Sequence, residues 1–454
     1  MPYDLGMPDF IAELTWRGLF YQCTDQPALA SHLSTARGAP GGARGYCGFD
    51  PTADSLTIGN LVPILMLRHW QLAGNTPVVL MGGGTGLIGD PSGKSAERQL
   101  MTEERVRGHV DAQKKIFSRV LSFEGPNAAI IVNNIDWLGK LGFIEALRDV
   151  GKHFSINEMI KRDSVRDRLE NREQGISYTE FSYMLLQAYD FLHMYRSMGV
   201  TTQMAGRDQW GNIVPGIELI RKHQLEASGG QSGEARGPMA FGVTAPLVTK
   251  ADGSKFGKTE TGAIWLSPER TSPYAFYQFW LNCSDADAGK WVRFFTLLAH
   301  EEVEALEASH ASDPGKREAH RALARHMTAM LHGEGAMREA ESAAAALFSG
   351  EVAGLPLATL EEVFASVPSS EHRRDELTRE WTDGKAGLPL VELLPLTTLC
   401  KSKREAREHL GAGAVSVNGR VCGAEDRLTP EQLLHGSLAL LRRGKKNWHV
   451  TRWR

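Results

Sequence analysis

At 454 residues the chain is too long for one hydrophobic core, and its 23% charged and 42% hydrophobic residues are those of a water-soluble protein of two or three domains. It has no apolar run of about 18 residues, and its start (MPYDLGMPDFIAEL) lacks a charged segment followed by an apolar one, so neither a membrane helix nor a secretory leader is expected and cytoplasm is the default. The net charge of -3 conceals an asymmetry: Lys401 to Arg454 carries twelve Lys or Arg against five Asp or Glu, while the rest is acidic, which is the footprint of a polyanion partner for the terminal segment.

Asp9 to Cys23 reads as an amphipathic helix, with Phe10, Ile11, Leu14 and Leu19 in helical spacing. Gly45 to Phe49 reads as a strand entering an Asp50-Pro51 turn, and a helix is expected to start near Ser55 to Thr57 with Gly59 in its first turn. A strand end feeding a helix N-terminus gathers unpaired N–H groups and the positive helix pole, so an anion such as phosphate is expected there. Asn75 to Gly82 reads as a buried strand, followed by a glycine-rich turn to Lys94 and a helix over Glu97 to Leu121. Within that turn GTGLIG (Gly84 to Gly89) has the form of a dinucleotide fingerprint. However, Asp90-Pro91-Ser92-Gly93 intervenes before any helix, and no strand with an acidic end follows. The overlapping GDPSGKS misses the P-loop spacing because Ile88 stands where the first glycine belongs.

Ala128 to Asn133 is another strand-type run, with helices near Leu141, Asn157 and Thr179. Alternating apolar runs and helices imply a parallel sheet covered on both faces, so the first 250 residues read as one doubly wound nucleotide-binding domain. Tyr183, Gln187 and Asp190 fall within an arc of ~60° on one helix face. Phe181, Met184, Leu185, Leu186, Ala188, Phe191 and Leu192 occupy the other faces, so the helix is expected to be buried nearly all round. Its polar face then needs partners, which a ligand with an amine at one end and a hydroxyl at the other would supply; a solvent face is the plain alternative. In QMAGRDQWGN (Gln203 to Asn212) the Gly206 turn precedes a helix that Asp208 is placed to cap. Glu226 to Pro238 reads as a flexible surface loop. Leu247 to Thr259 reads as a strand running into a mobile glycine-rich loop with Lys250, Lys255 and Lys258, point charges suited to phosphate as well as to a solvated turn.

Ser272 to about Phe364 reads as helical, Trp381 to Gly387 as a linker, and Ser402 to Leu410 as a basic helix. The alternation of Ala414 to Val421 around Asn418-Gly419 predicts a hairpin. Five scattered cysteines without a Cys-x-x-Cys argue against a disulfide framework and structural zinc, and no histidine pair has metal-ligand spacing, so no metal residue is expected.

YCGFDPTADSL, GLIGDPSGK, EFSYMLLQAYDF, DQWGN, PLVTKADGSKFGKTE and TSPYAFYQFW together resemble bacterial tyrosyl-tRNA synthetases, from about Asp9 to the C-terminus. Tyr46 to Asn60 and Lys255 to Thr259 resemble the two class I signatures, usually His-Ile-Gly-His and Lys-Met-Ser-Lys-Ser; Thr57 and Asn60 stand where the family usually has histidines. The resemblance implies a Rossmann-like doubly wound parallel-sheet catalytic domain (1–270), an α-helical anticodon-side domain (271–380) and a small α+β S4-like RNA-binding domain (388–454). It implies a homodimer that joins L-tyrosine to tRNA(Tyr) with ATP as substrate and Mg2+ carried by ATP, without a tightly bound cofactor. Thr57, Asn60, Lys255, Lys258 and Thr259 are the implied catalytic set. The resemblance puts Tyr46, Asp90, Tyr183, Gln187, Asp190, Gln203 and Gln209 around tyrosine, and Cys47, Asp50, Gly59, Asp208 and Lys258 around ATP, with Lys94 and Arg98 near its phosphates. Lys401, Lys403, Arg404 and Arg407 face RNA on this reading. Two rivals stand beside it: a synthetase-derived RNA-binding or regulatory protein without catalysis, and a nucleotide-dependent oxidoreductase.

Overall fold

The apolar runs of the first 250 residues become one sheet of six strands, β1 (Gln22–Cys23), β2 (Arg44–Phe49), β3 (Thr76–Met81), β4 (Ile130–Asn133), β5 (Val200–Gly206) and β6 (Phe241–Ala245). Their order is β1-β6-β5-β2-β3-β4, parallel throughout except for β1, which runs antiparallel along β6. The computed structural model describes residues 8–90, 101–162, 165–166, 169–170, 175–227, 239–254, 256–259, 262–349, 352–365, 367–381, 384–444 and 447–454. Two compact units arise, 1–272 with 279–333, and 273–278 with 334–454. The division at 333 falls inside the stretch expected as one helical domain.

In the first unit β3 is buried at every position, as a central strand covered on both faces must be. The helix Leu61–Leu72 brings Ile64, Leu65, Met66 and Trp70 against one face. On the other, Ala188, Phe191 and Leu192 of the helix Tyr178–Met198 pack with Tyr46, Val78 and Leu80. That helix starts where Ser177 Oγ accepts the Glu180 N–H and ends at Gly199, whose φ of 67° lets its N–H turn back to the last carbonyls.

Three expected elements change length. The first helix covers only Phe10–Arg17, because Gly18 adopts a left-handed conformation and closes it. The expected strand at Leu247 does not form: β6 ends at Ala245, before Pro246, which has no N–H to extend a ladder, and Lys250 to Ser254 closes a turn instead. Farther along, Lys258–Thr259 (β7) pairs with Gly262–Ala263 (β8). The helix expected from Glu97 is seen over Glu103–Val120, capped by Thr102 Oγ1; the segment Pro91 to Leu100 lies outside the described residues, as does most of the loop expected over Glu226 to Pro238.

The second unit holds β9 (Ser369–His372), β10 (Leu388–Pro389), β11 (Val415–Val417), β12 (Arg420–Val421), β13 (Arg427–Leu428), β14 (Leu438–Arg443) and β15 (Asn447–Trp453). Five of them form a sheet in the order β12-β11-β14-β15-β9. Asn418 and Gly419 both have positive φ between β11 and β12, the hairpin turn their sequence predicts. The basic helix, Lys403–Gly411, turns Ala406 and Leu410 into a core with Leu393, Val415, Leu441 and Trp453.

Candidate active site

Between β2 and β5 the order in which the parallel strands are laid down reverses: β3 and β4 extend to one side and β6 to the other, while Tyr46 of β2 lies beside Gln203 of β5. The crevice beyond the carboxyl ends of strands at such a reversal is where doubly wound sheets bind ligands. The turns that follow these strand ends carry Asp50, Asp90, Asn134, Asp208 and Gln209.

Strand alternation sends neighbouring side chains to opposite faces. The Tyr46 ring lies 5.3 Å from Phe191, toward the helix Tyr178–Met198, whereas Cys47 faces the helix Leu61–Leu72, its Sγ 3.6 Å from the Pro63 carbonyl. Both are buried, and burial pushes the phenol and the thiol well above their ordinary pKa.

Asp190, 1% exposed, accepts from Trp137 Nε1 at 2.7 Å and from Asn134 Nδ2 at 2.9 Å. Asn134 also reaches Thr85 Oγ1 at 3.0 Å; Thr85 donates to Asp50 Oδ1 at 2.8 Å, and Tyr183 OH donates to Asp50 Oδ2 at 2.9 Å. Burial raises Asp190 to about 7, helped by the charge of Asp50 and opposed by the two donors. Gln209 donates to Asp90 at 2.8 Å, and Gln187 Nε2 approaches Gln209 Oε1 at 3.4 Å. Tyr46 OH, Gln187 Oε1 and Gln203 Oε1 are buried without a hydrogen-bond partner among the described residues. Buried polar atoms left this way are uncommon, and they mark where a polar ligand belongs. The solvent-face alternative for Tyr183 and Asp190 is therefore overturned by their burial. Thr85, Asn134 and Trp137 were missed by sequence reasoning; the signal was a pair of asparagines straddling the end of β4.

The same asparagines account for the glycine turn. Asn133 Oδ1 accepts the Gly83 N–H at 3.0 Å and Asn134 Oδ1 the Gly84 N–H at 2.7 Å, and a Cβ on Gly83 would lie 2.2 Å from Asn133 Oδ1. The amide of Gly84, the first glycine of the fingerprint, thus serves the protein rather than a pyrophosphate, which argues against the dinucleotide reading.

The expected helix start at Thr57 is instead a 3-10 turn, Ile58–Asn60, that leads into Leu61–Leu72. Asn60 Oδ1 accepts both the Thr57 N–H at 3.0 Å and the Thr57 hydroxyl at 2.9 Å. Gly59 is exposed beside them. The second signature meets the first: Ile58 N–H donates to Ile264 O at 2.9 Å, Ile264 N–H to Gly257 O at 3.1 Å, and Thr57 bridges to Trp265. Gly257 has φ +78°, and a Cβ there would lie 2.4 Å from Ile58 Cγ2, so only glycine allows this approach. Phe256 is buried against Phe295, Trp291 and Trp280 and anchors the segment. Lys258 and Thr259 lie in β7; Lys255, like Lys94 and Arg98, lies outside the described residues. Asp208 sits inside the 3-10 turn Arg207–Gln209 rather than at its cap, exposed at the crevice rim.

The tRNA synthetases class I (W and Y) match residues 41–349, more than half of the chain. The chain belongs to this family. The tyrosine–tRNA ligase SYY-like C-terminal domain matches residues 359–451 of the same synthetase. It is 50% identical over 447 residues to the tyrosine–tRNA ligase of Geobacillus kaustophilus, covering 98% of this chain and 100% of that one. The tyrosine–tRNA ligase of Geobacillus stearothermophilus is 49% identical over the same shares. Among solved structures, a C-terminally truncated mitochondrial tyrosyl-tRNA synthetase from Coccidioides posadasii matches with a TM-score of 0.63 and 29% identity, covering 73% of this chain and 91% of that chain.

In the synthetase's second unit, Lys401, Lys403, Arg404 and Arg407 are exposed at and along the start of the Lys403–Gly411 helix, with Lys403 Nζ 2.6 Å from Glu392. No helix among the described residues is long and apolar enough to cross a membrane.

Proposed function

We infer that this synthetase is a tyrosine–tRNA ligase that activates L-tyrosine with ATP, releasing pyrophosphate, and passes the tyrosyl group to the 3′ end of tRNA(Tyr). The observation that carries the choice of amino acid is the buried Asp190 carboxylate beside the unpartnered Tyr46 hydroxyl. Together they suit a phenolic O–H that donates to one and accepts from the other. Asp90, Tyr183 and Gln187 are assigned to the ammonium, Gln203 and Gln209 to the pocket wall and reacting carboxylate. Asp208, Cys47, Asp50 and Gly59 are assigned to the ATP side.

The tyrosine carboxylate attacks the α-phosphorus of ATP, so no side chain need act as nucleophile or general base. The protein aligns the two reactants and stabilises the charge that gathers on the phosphate and the departing pyrophosphate. Lys255, Lys258 and Thr259 serve the pyrophosphate, with Asn60 and Thr57 at the signature turn. ATP brings Mg2+ held largely by phosphate oxygens and water. Cytoplasm is the proposed compartment. Tyrosine-dependent exchange of pyrophosphate into ATP tests the assignment, and its absence would favour the non-catalytic rival.

The functional division is proposed as catalysis in 1–270, an anticodon-side helical part in 271–380 and RNA binding in 388–454. A truncation at Lys401 cannot test it, because that cut would strip Leu393, Leu394 and Leu399 of core partners at 406–453. Charge reversal can. Arg404→Glu with Arg407→Glu is expected to leave pyrophosphate exchange unchanged, lower tRNA charging at least about tenfold and flatten the salt dependence of tRNA binding. Unchanged charging would refute the division.

A homodimer is also proposed. Of fourteen large apolar side chains exposed among the described residues, seven (Phe143, Ile144, Leu147, Ile156, Ile160, Leu169 and Tyr178) come from one 36-residue stretch, with Phe143 67% and Ile144 73% exposed. Such a concentration marks an interaction surface. Sedimentation velocity should give a dimer for the parent and a monomer for Phe143→Asp with Ile144→Asp; a monomeric parent would refute the proposal.

A further inference from the structure

Away from the catalytic crevice, the second unit contains a recess of about 280 Å³ lined by Val367, Pro368, Thr398, Leu399, Arg443, Asn447 and Trp448. Its volume is at the lower end of ligand pockets, ~300 Å³, which suits one planar heterocycle rather than a length of polymer. Arg443 ties the recess to the basic helix, because its Nη1 lies 3.0 Å from Glu405 Oε1 and 3.2 Å from His409 Nε2. Trp448, half-buried, has the Arg442 guanidinium 5.0 Å from its ring centre and the ring centre of Phe364 5.1 Å away in an edge-to-face arrangement, so its indole is held in place by neighbours on its own strand pair and beyond.

The polar wall has a fixed polarity. The Thr398 N–H can only donate, and it points at Nδ1 of His449, 3.3 Å away, so that nitrogen carries the lone pair. The Thr398 hydroxyl, 3.0 Å from the same nitrogen, must then donate inward. His449 Nε2 donates in turn to Ser370 Oγ at 2.9 Å, and Ser370 Oγ lies 2.7 Å from His372 Nε2. His449 is buried, and burial with His372 nearby holds its pKa below the ordinary value, which keeps the ring neutral as this chain of bonds requires. What Thr398 has left for the recess is therefore its lone pairs. Asn447, exposed at the mouth, offers both a donor and an acceptor, and Arg443 offers only donors.

We propose that this recess receives one unstacked nucleobase of the bound tRNA, lying against Trp448 and presenting a ring N–H or exocyclic amine to Thr398 Oγ1. The proposal rests on the reading of residues 388–454 as the RNA-binding part. An aromatic wall with hydrogen-bonding groups at its rim is how proteins take single-stranded RNA bases, and a basic surface alongside holds the backbone. A phosphate would need the cation and gain nothing from the indole, Leu399 or Pro368.

The test uses the full-length protein and a tRNA(Tyr) transcript, with binding measured at several salt concentrations. Trp448→Leu and Asn447→Ala are compared with the parent, and Trp448→Phe, which keeps an aromatic ring against Phe364, guards against a folding defect. Trp448→Leu is expected to weaken binding about tenfold, with the slope of log affinity against log salt unchanged and pyrophosphate exchange intact. One base of the tRNA should lose its protection from chemical modification in Trp448→Leu and keep it in Trp448→Phe. Parental affinity in both Trp448→Leu and Asn447→Ala would overturn the proposal. Weakened binding with a shallower salt slope would also overturn it, because the recess would then hold a phosphate. Failure of the RNA-binding reading itself would show separately, as parental tRNA binding in Arg404→Glu with Arg407→Glu.

Discussion

Asp190→Asn is expected to lower kcat/KM for tyrosine activation by about 100-fold or more while leaving the protein folded. The carboxylate holds two donors, Trp137 Nε1 and Asn134 Nδ2, one on each oxygen, and still has lone pairs for a phenolic O–H. An amide keeps one acceptor oxygen and turns an N–H₂ toward a group that can only donate. A hydrogen bond to a charged group is worth ~1.5 to 3 kcal/mol, and leaving a buried donor unpaired adds ~1 to 3 kcal/mol. The loss should fall on tyrosine far more than on phenylalanine, which has no hydroxyl to place. Activation of tyrosine by Asp190→Asn at the parental rate would remove Asp190 from the pocket.

The same burial gives a pH dependence. Asp190 is raised from 3.8 to about 7, so near neutrality the free enzyme contains both protonation states. Only the ionised form leaves the phenol as donor, and kcat/KM for tyrosine should rise with pH through about 7. Trp137→Phe removes a bond that favours the charged form, so its limb should move to higher pH, which a merely structural change would not do. Stability runs the other way. The folded state holds this proton more tightly than the unfolded one, so the group's contribution is fully present below about 3.8 and is lost as pH rises through about 7. An activity limb that stays in place in Trp137→Phe would show that another group sets it.

Local signals carried much of the architecture. The strand ending at Phe49, the buried run of β3 and the Asn418-Gly419 turn need only neighbouring residues to be read. The helix at Tyr178 was legible because its polar positions share one face. What escaped were contacts across long sequence separations. Asn134 acts on Asp190, 56 residues on, and on Thr85, 49 residues back, and nothing in a linear spacing marks those encounters. The end of β6 escaped for a different reason: Leu247 and Val248 continue the apolar run, but Pro246 had already ended the ladder. The glycines were visible as a pattern and misleading as a fingerprint, since the close approach of Gly84 is to Leu138 and Asn134 and that of Gly86 is to Pro51.

The signature turn gives the second large effect, and the structure changes how it should be divided. Read as a sequence, Thr57 and Asn60 are two independent donors replacing two imidazoles. In the fold they are one unit: the Thr57 N–H fixes which end of Asn60 is the oxygen, because a backbone amide cannot accept, and the Thr57 hydroxyl gives its only proton to that same oxygen. The donors left for a phosphate are the two N–H groups of Asn60 Nδ2 and the backbone at exposed Gly59. Losing one preorganised donor to a developing oxyanion costs ~2.7 to 4 kcal/mol, so Asn60→Ala is expected to slow adenylate formation by about 100- to 1000-fold. Thr57→Ala keeps the backbone bond to Asn60 and loses only the second tether, so it should slow the step about tenfold. In both variants ground-state ATP binding should change much less than the rate, since the charge to be stabilised develops only as pyrophosphate leaves. Pre-steady-state measurement of adenylate formation separates these terms. A larger effect from Thr57→Ala than from Asn60→Ala would make the hydroxyl the direct donor and reverse the assignment, while unaffected rates in both would take the signature turn out of the chemistry.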